Sequence, residues 1–122
     1  MAEYLPIFKP GQAVTLKASA EITGGQVVAV TGSGTVGPAG AASATWVGVA
    51  ANDAAVNDNV TVYSGGVQHA AASGAITAGD LVVTAASGAV AKAGDTPADG
   101  TILGIALTTA ADGDDVRVKF ER

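Results

Sequence analysis

The feature that most constrains this chain is an internal duplication, because residues 76–90 repeat the sequence of residues 22–36. Aligned without a gap, the two stretches agree at Ile22/Ile76, Thr23/Thr77, Gly25/Gly79, Val28/Val82, Ser33/Ser87, Gly34/Gly88 and Val36/Val90. After a small shift in spacing, the likeness resumes between residues 45–50 and 101–106 and between residues 58–62 and 114–118. Self-similarity on this scale predicts two related half-domains within one small fold. We place the half-repeats at about residues 20–72 and 74–122.

Short alternating stretches indicate the type of secondary structure. Residues 13–20 alternate between apolar and polar side chains, and the last stretch places Val116, Val118 and Phe120 on one face with charged side chains on the other. This two-residue period is typical of strands with one buried face. The other predicted strands cover residues 26–31, 35–36, 45–51, 60–63, 67–72, 80–84 and 101–107, and residues 37–44 are predicted to form a surface loop. No stretch sustains a helical period, so the predicted fold is all-β, a compact barrel-like or clip-like domain of short strands.

Many of the predicted core positions are Ala or Val, which bury little apolar surface per residue. Such a domain gains stability from burying further surface against copies of itself or against another protein. Gly48 interrupts one predicted strand, where it indicates a bend or a closely passing neighbour.

Length, charge and cysteine content exclude several classes of protein. At 122 residues the chain fits one domain with a sizeable core. It contains no cysteine, which excludes disulfides and thiolate metal sites. The net charge of -5 comes from scattered carboxylates with no basic run to neutralise phosphates, so nucleic acid is not an expected partner. No signal-peptide pattern and no apolar run near the ~20 residues of a membrane span are present, so no membrane contact is expected.

Three motifs resemble sites of known chemistry. Residues 32–37 fit the letters of the dinucleotide fingerprint, but a proline and a Gly/Ala loop follow where a helix must begin, which favours a hairpin turn. Asp112, Asp114 and Asp115 lack the later bidentate Glu of a calcium loop, which favours a turn there as well. His69 is the single histidine, and no set of nucleophile, base and orienter surrounds it. The sequence therefore predicts no catalytic, cofactor-binding or metal-binding residue.

Two residues are candidates for a subunit interface. Trp46 stands where the second repeat has Ile102. It either fills extra core volume in one half or anchors a contact between subunits, where Trp is enriched. His69 is expected at the surface or at an interface.

Residues 1–12 belong to neither repeat and form a predicted extended N-terminal arm, ahead of a single β-domain over residues 13–122. Tyr4, Leu5, Ile7 and Phe8 concentrate apolar surface in a stretch that prolines keep from forming a helix or a central strand. These side chains either fold back on their own sheet or dock an extended segment on a partner's sheet edge. Proline stiffening suits the second role, because less chain entropy is lost on docking.

The order of several short motifs resembles a known family. They are Tyr-Leu-Pro-Ile-Phe-Lys-Pro-Gly at 4–11, Val-Thr-Leu at 14–16, Ala-Ser-Ala at 18–20, Ile-Thr-Gly-Gly-Gln-Val-Val at 22–28, Val-Gly-Val-Ala at 47–50 and Ile-Thr-Ala-Gly-Asp at 76–80. In these residues the chain resembles the small head-decoration, or capsid cement, proteins of tailed bacteriophages. The likeness covers nearly the whole chain.

The resemblance implies an all-β, clip-like or tulip-like domain, commonly a homotrimer on local threefold axes of an icosahedral head. It implies a structural, non-enzymatic role in which the protein binds the outside of the major capsid protein and stabilises its lattice. Tyr4, Leu5, Ile7 and Phe8 are then expected at the capsid contact. The protein is expected on the outer surface of the virion, after synthesis in the cytoplasm of a bacterial host.

Two other functions stay open at this point. The doubled Ile-Thr-x-Gly half-domain recurs in clip-like domains that bind sugars or small ligands, which predicts a monomer with a pocket lined by Trp46, Tyr63 and His69. A hydrolase that uses His69 is the remaining alternative.

Overall fold

The computed structural model describes Leu5, Ile7, Phe8 and residues 11–122. This part of the chain contains ten strands, one 3-10 turn at Ala86–Gly88 and no α-helix. The strands are β1 (Val14–Ala18), β2 (Val27–Gly32), β3 (Thr35–Pro38), β4 (Trp46–Ala50), β5 (Asn59–Tyr63), β6 (Val67–Ala71), β7 (Leu81–Thr84), β8 (Val90–Lys92), β9 (Ile102–Ala106) and β10 (Asp115–Phe120). The prediction of an all-β domain of short strands is confirmed.

The strands form two sheets, one from each half of the chain. Strands β1 to β5 close into a barrel in the order β1-β3-β2-β4-β5, which we call the barrel. Strands β6 to β10 form a second sheet in the order β6-β10-β9-β7-β8. We call everything after β5 the second half. Strands β6 to β10 correspond to β1 to β5 in chain order. With this correspondence, every pair of neighbouring strands in the second sheet matches a pair of neighbouring strands in the barrel.

The duplication extends to the register of individual residue pairs. Val28 pairs with Gly48 between β2 and β4, and Val82 pairs with Gly104 between β7 and β9, with a register shift after each of these pairs. The parallel pairing that closes the barrel also has a counterpart, because an isolated parallel bridge joins Ala72 to Val90 as β1 joins β3. The two halves are therefore one backbone design built twice.

The repeated Ile-Thr-x-Gly-[Gln/Asp] motif is a turn that starts each sheet. The Thr23 N–H donates to Gln26 Oε1 at 2.9 Å, and the Thr77 N–H donates to Asp80 Oδ2 at 2.9 Å. The motif needs glycine at its fourth position, because Gly79 has a φ of 94°, as does its counterpart Gly25. The repeated motif therefore specifies a turn geometry rather than a binding site.

Strand β8 was not predicted, and two predicted assignments also differ from the structure. Strand β6, which the sequence places at the end of the first half-repeat, pairs with β10 in the second sheet. Its resemblance to β1 is invisible in sequence, since the two strands share a backbone position but few side chains. The predicted surface loop over 37–44 is also partly wrong, because Gly37 and Pro38 belong to β3 and Ala39 is buried.

The glycines in the middle of β4 and β9 are explained by close packing of neighbouring strands. A Cβ at Gly48 would overlap the carbonyl oxygen of Tyr63, and a Cβ at Gly104 would overlap that of Lys119. Of the two interpretations that the sequence left open for Gly48, the closely passing neighbour is confirmed.

Apolar side chains form two cores. One lies inside the barrel and contains Ala18, Ile22, Val28, Val36, Ala50, Ala54, Val60 and Val62. The other joins the inside of the second sheet to one outer face of the barrel, and so fastens the two halves together. The alternation predicted for the last strand is confirmed, with Val116, Val118 and Phe120 buried in this second core.

Candidate interaction surfaces

The described arm residues expose their apolar side chains. Leu5 is 79% exposed, Ile7 is 91% exposed and Phe8 is 39% exposed, and the first strand begins only at Val14. Tyr4, the fourth residue predicted for this site, lies outside the described residues. Three large apolar side chains within four positions of the chain are costly to leave in water, which is typical of a segment that meets a partner.

The barrel has an apolar cavity of about 320 Å³ at one end, close to where the second half joins it. It is lined by Val14, Leu16, Trp46, Val47, Val62, Ser64 and Arg122. In the second half, Phe120 occupies the place that Ser64 has in the barrel, and its buried ring fills the corresponding space. The barrel therefore keeps an open apolar end that its duplicate has closed.

A second feature is the face of the barrel that the second half covers. Val27, Ala29, Trp46 and Val49 point outward from β2 and β4, and all four are buried in the core shared with the second sheet. We call these four residues the covered face. Outward-pointing side chains become interior here, because the second half of the same chain lies against them.

Trp46 is the centre of the covered face. Its ring meets Phe120 edge-on at 5.8 Å between centroids, its Nε1–H donates to the Gly100 carbonyl at 3.1 Å, and the Arg122 guanidinium lies 4.2 Å from the ring centroid. These contacts use the apolar ring, the polar N–H and the electron-rich face. The structure places Trp46 in the core, one of the two roles that the sequence left open. With 1% of the residue exposed, little of the ring is left to contact another chain.

Backbone and hydroxyl hydrogen bonds align the junction beside Trp46. The buried Thr84 hydroxyl donates to the Gly40 carbonyl at 2.6 Å and accepts from the Ser43 N–H at 2.7 Å. The Gly88 N–H donates to the Ala39 carbonyl at 2.9 Å. Residues 39–43 thus form part of the junction, although they form a loop and only Ala39 among them is buried.

In the part of the chain that the structure describes, the matching face of the second sheet has no such cover. Leu81, Val83, Ile102 and Ile105 occupy the positions of Val27, Ala29, Trp46 and Val49, in the same cross-strand pairs. Leu81 is 50% exposed, Ile105 is 38% exposed, and the other two are half-buried. We call these four residues the open face. Sequence reasoning missed it, although the repeat alignment offered a signal, since these outward positions stay apolar in both halves.

His69 lies on β6 at a solvated site. Its Nδ1 lies 2.8 Å from Asp115 Oδ2, and the two side chains are 69% and 59% exposed. Ser87 lines the same cleft, but no hydrogen bond joins its hydroxyl to His69 among the described residues. A Ser-His-Asp mechanism needs the base bound to the nucleophile and a sheltered orienting carboxylate. The geometry at His69 provides neither, and its role at a subunit interface stays a prediction.

The pocket predicted for the ligand-binding alternative is not assembled. Trp46 lines the cavity at the end of the barrel, whereas His69 lines the cleft beside Gly24 and Ser87. Tyr63 is 53% exposed and lines neither cavity. Trp46 is buried, whereas Tyr63 and His69 are exposed on two other strands.

The turns predicted in place of cofactor and metal sites are present. Residues 32–35 reverse the chain between antiparallel β2 and β3, with a φ of 74° at Gly34. Asn57 and Gly113 take positive φ in the two matching turns before β5 and β10. Within the described part of the chain, no three His, Cys, Asp or Glu side chains lie together in a geometry that could hold a metal ion. That part also contains no helix long and apolar enough to cross a membrane.

Comparison with known proteins identifies the family. A family model described as phage cement protein matches residues 8–121. Among solved structures, the chain is similar to the N base of the head fiber protein gp8.5 of bacteriophage phi29, with a TM-score of 0.69 and 20% sequence identity. That similarity covers 90% of this chain and 93% of the phi29 chain, and it shows a shared fold. No curated protein matches the chain in sequence. The family match spans nearly all of the β-domain, so the chain belongs to the phage cement protein family.

Proposed function

We propose that this member of the phage cement protein family is a structural decoration protein that binds a phage head and stabilises its lattice of major capsid protein. The observation that carries this proposal is the family match over residues 8–121. The fold shared with the base of a phage head fiber supports the same role.

The arm is the proposed contact with the major capsid protein. Leu5, Ile7 and Phe8 expose apolar side chains ahead of the first strand, and Tyr4 precedes them in sequence. An extended segment of this kind docks by adding main-chain hydrogen bonds to a sheet edge while its side chains fill pockets. Burying three such side chains is worth several kcal/mol, at about 1.5–3 kcal/mol for each.

Location and assembly follow from the same role. We place the protein on the outer surface of the capsid as a homotrimer, because several weak arm contacts made together give firm attachment. The proposed role requires no catalysis, and within the described part of the chain no Ser or Thr hydroxyl is hydrogen-bonded to the exposed His69–Asp115 pair.

Substituting the three described arm residues tests the capsid contact. We expect a full-length chain carrying Leu5→Ser, Ile7→Ser and Phe8→Ser to lose binding to undecorated heads, measured by co-sedimentation. Its unfolding midpoint should stay unchanged, because these side chains lie outside both cores. The matched control is Val56→Ser, which removes an apolar side chain that is 54% exposed on the β-domain and should leave binding intact.

The result that would overturn the arm contact is full binding by the triple variant. Failure of the unsubstituted chain to bind heads of its own phage would overturn the decoration role itself.

A further inference from the structure

The covered face shows how a second half packs against a first half of this design. Val27 and Trp46 of the barrel lie against Gly88, Gly100 and Phe120 of the second half. The approach at Gly88 is so close that a Cβ there would lie 2.7 Å from Gln26 Cβ and 2.8 Å from the Val27 carbonyl oxygen. This packing is a template for an interface between two copies of the same fold unit.

The side of this interface that the covered face provides has an exposed counterpart on the second half. The open face carries Leu81, Val83, Ile102 and Ile105 at the positions of the covered face, on strands with the same register. Leu81 and Ile105 would ordinarily be polar on the wet face of an antiparallel sheet. Their exposure instead indicates a surface that another body covers.

The side that the second half provides has an exposed counterpart on the barrel. Gly88 and Phe120 of the second half contact the covered face, and Thr84 and Ser87 form hydrogen bonds to residues next to it. The counterparts of these four residues in the barrel are Val30, Ser33, Gly34 and Ser64. We call these four barrel residues the receiving edge. Val30 is 46% exposed and the other three are exposed as well.

Two equivalent glycines show how the receiving edge differs from its counterpart in the second half. Gly88 is buried against Gln26 and Val27, whereas a Cβ at Gly34 would meet no atom within 4 Å. The apolar cavity at the end of the barrel opens beside Ser64, where the second half has Phe120. Each chain therefore leaves exposed both the open face and the receiving edge, which correspond to the two sides of the internal contact.

We propose that the open face of one chain docks on the receiving edge of a second copy, repeating between chains the packing that joins the two halves within a chain. This inference rests on the self-association proposed above and names the surfaces that produce it. Because the two surfaces differ, the contact is heterologous and joins copies head to tail, and a ring closes when the rotation between copies permits.

The contact between copies should be weaker than the internal one. Gln26 Nε2 donates to the Ser87 carbonyl at 3.0 Å across the internal junction, but its counterpart Asp80 has a carboxylate and no donor. Ile102 also offers less surface than Trp46 and no ring. The apolar positions carry the contact, so its affinity should depend on Leu81 and Ile105 in particular.

A pair of complementary variants tests the inference by sedimentation velocity of the full chain. The open-face variant carries Leu81→Lys and Ile105→Lys, and the receiving-edge variant carries Val30→Lys. Each should weaken self-association by roughly a hundredfold, because an unpaired charge would be buried in the contact. Val56→Lys, at an exposed apolar residue outside both surfaces, is the matched control and should associate like the unsubstituted chain.

Mixing the two variants separates a head-to-tail contact from a symmetric one. The open-face variant keeps an intact receiving edge, and the receiving-edge variant keeps an intact open face. We expect the mixture to form a heterodimer and nothing larger, although each variant alone is monomeric. If the open faces pair with each other instead, the Val30→Lys variant would self-associate like the unsubstituted chain, alone and in the mixture. The open-face variant would then stay monomeric in the mixture, which overturns the inference.

The outcomes also distinguish this inference from the proposed function. If both variants assemble like the unsubstituted chain, the named surfaces are wrong while the homotrimer stands. If the unsubstituted chain is monomeric at every concentration, both this inference and the homotrimer are overturned. Capsid attachment is judged separately by the arm substitutions.

Discussion

The covered face and the open face have one backbone and two environments. Val27 and Leu81 occupy the same place in the two sheets, yet Val27 is 0% exposed and Leu81 is 50% exposed. The difference arises from packing, because the second half lies against the covered face and no described residue buries the open face to the same extent. A duplicated fold unit thus creates one internal junction and leaves one unused copy of each surface that formed it.

At the ends of the two halves the difference is reversed, because the second half is filled there and the barrel is open. Phe120 is buried and fills the end of the second half, whereas Ser64 leaves an apolar cavity at the end of the barrel. The half that is filled is the one that meets Trp46 within the chain. Packing has therefore been completed where the internal junction lies, and left incomplete where the chain faces outward.

The largest expected effect comes from removing the centre of the covered face. Trp46→Ala should lower the free energy of unfolding by about 3–5 kcal/mol, because it leaves a cavity between the halves and removes the partner of Phe120. The matched control is Ile102→Ala at the same place on the open face, with an expected cost of roughly 1 kcal/mol. Both are measured by urea denaturation at a protein concentration where copies do not associate. Equal costs would show that the two faces are not differently buried.

The next prediction concerns the glycine in each half at which two paired strands come closest together. Gly48→Ala and Gly104→Ala should each cost about 2–3 kcal/mol, because the added Cβ overlaps a carbonyl oxygen of the paired strand and the strands cannot separate without losing ladder bonds. Gly94→Ala, where a Cβ meets no atom within 4 Å, should stay within about 0.5 kcal/mol of the unsubstituted chain. Thermal unfolding of the three variants makes the comparison. A large cost in only one half would mean that the duplication is not preserved in the energetics.

The smallest effect concerns the hydroxyl at the junction. Thr84→Val should cost about 1–2 kcal/mol, because the Ser43 N–H and the Gly40 carbonyl lose their partner in a buried place. The reverse change at the matching barrel position, Val30→Thr, should stay within about 0.5 kcal/mol because that residue is 46% exposed. Guanidinium denaturation of both variants measures the difference. A neutral Thr84→Val would show that the junction is held by its apolar contacts alone.

Much of the fold was predictable from local patterns. The turn at Thr23, the hairpin at Gly34 and the alternation through Val116 to Phe120 each follow from rules that act over a few residues. Strand β6 was assigned to the wrong half because its membership depends on pairing with β10, which is distant in sequence. Within the candidate site, composition was enough to propose the arm as a contact. The open face went unnoticed, because the exposure of a side chain depends on which other residues pack against it.

By itself the sequence determined the repeated unit, because identical turns and strand patterns specify identical local geometry wherever they occur in the chain. The tertiary structure decided which copy of each surface is covered. Burial depends on neighbours rather than on a residue's own identity, so the apolar Trp46 and the apolar Ile102 read alike in the alignment and differ in the folded protein.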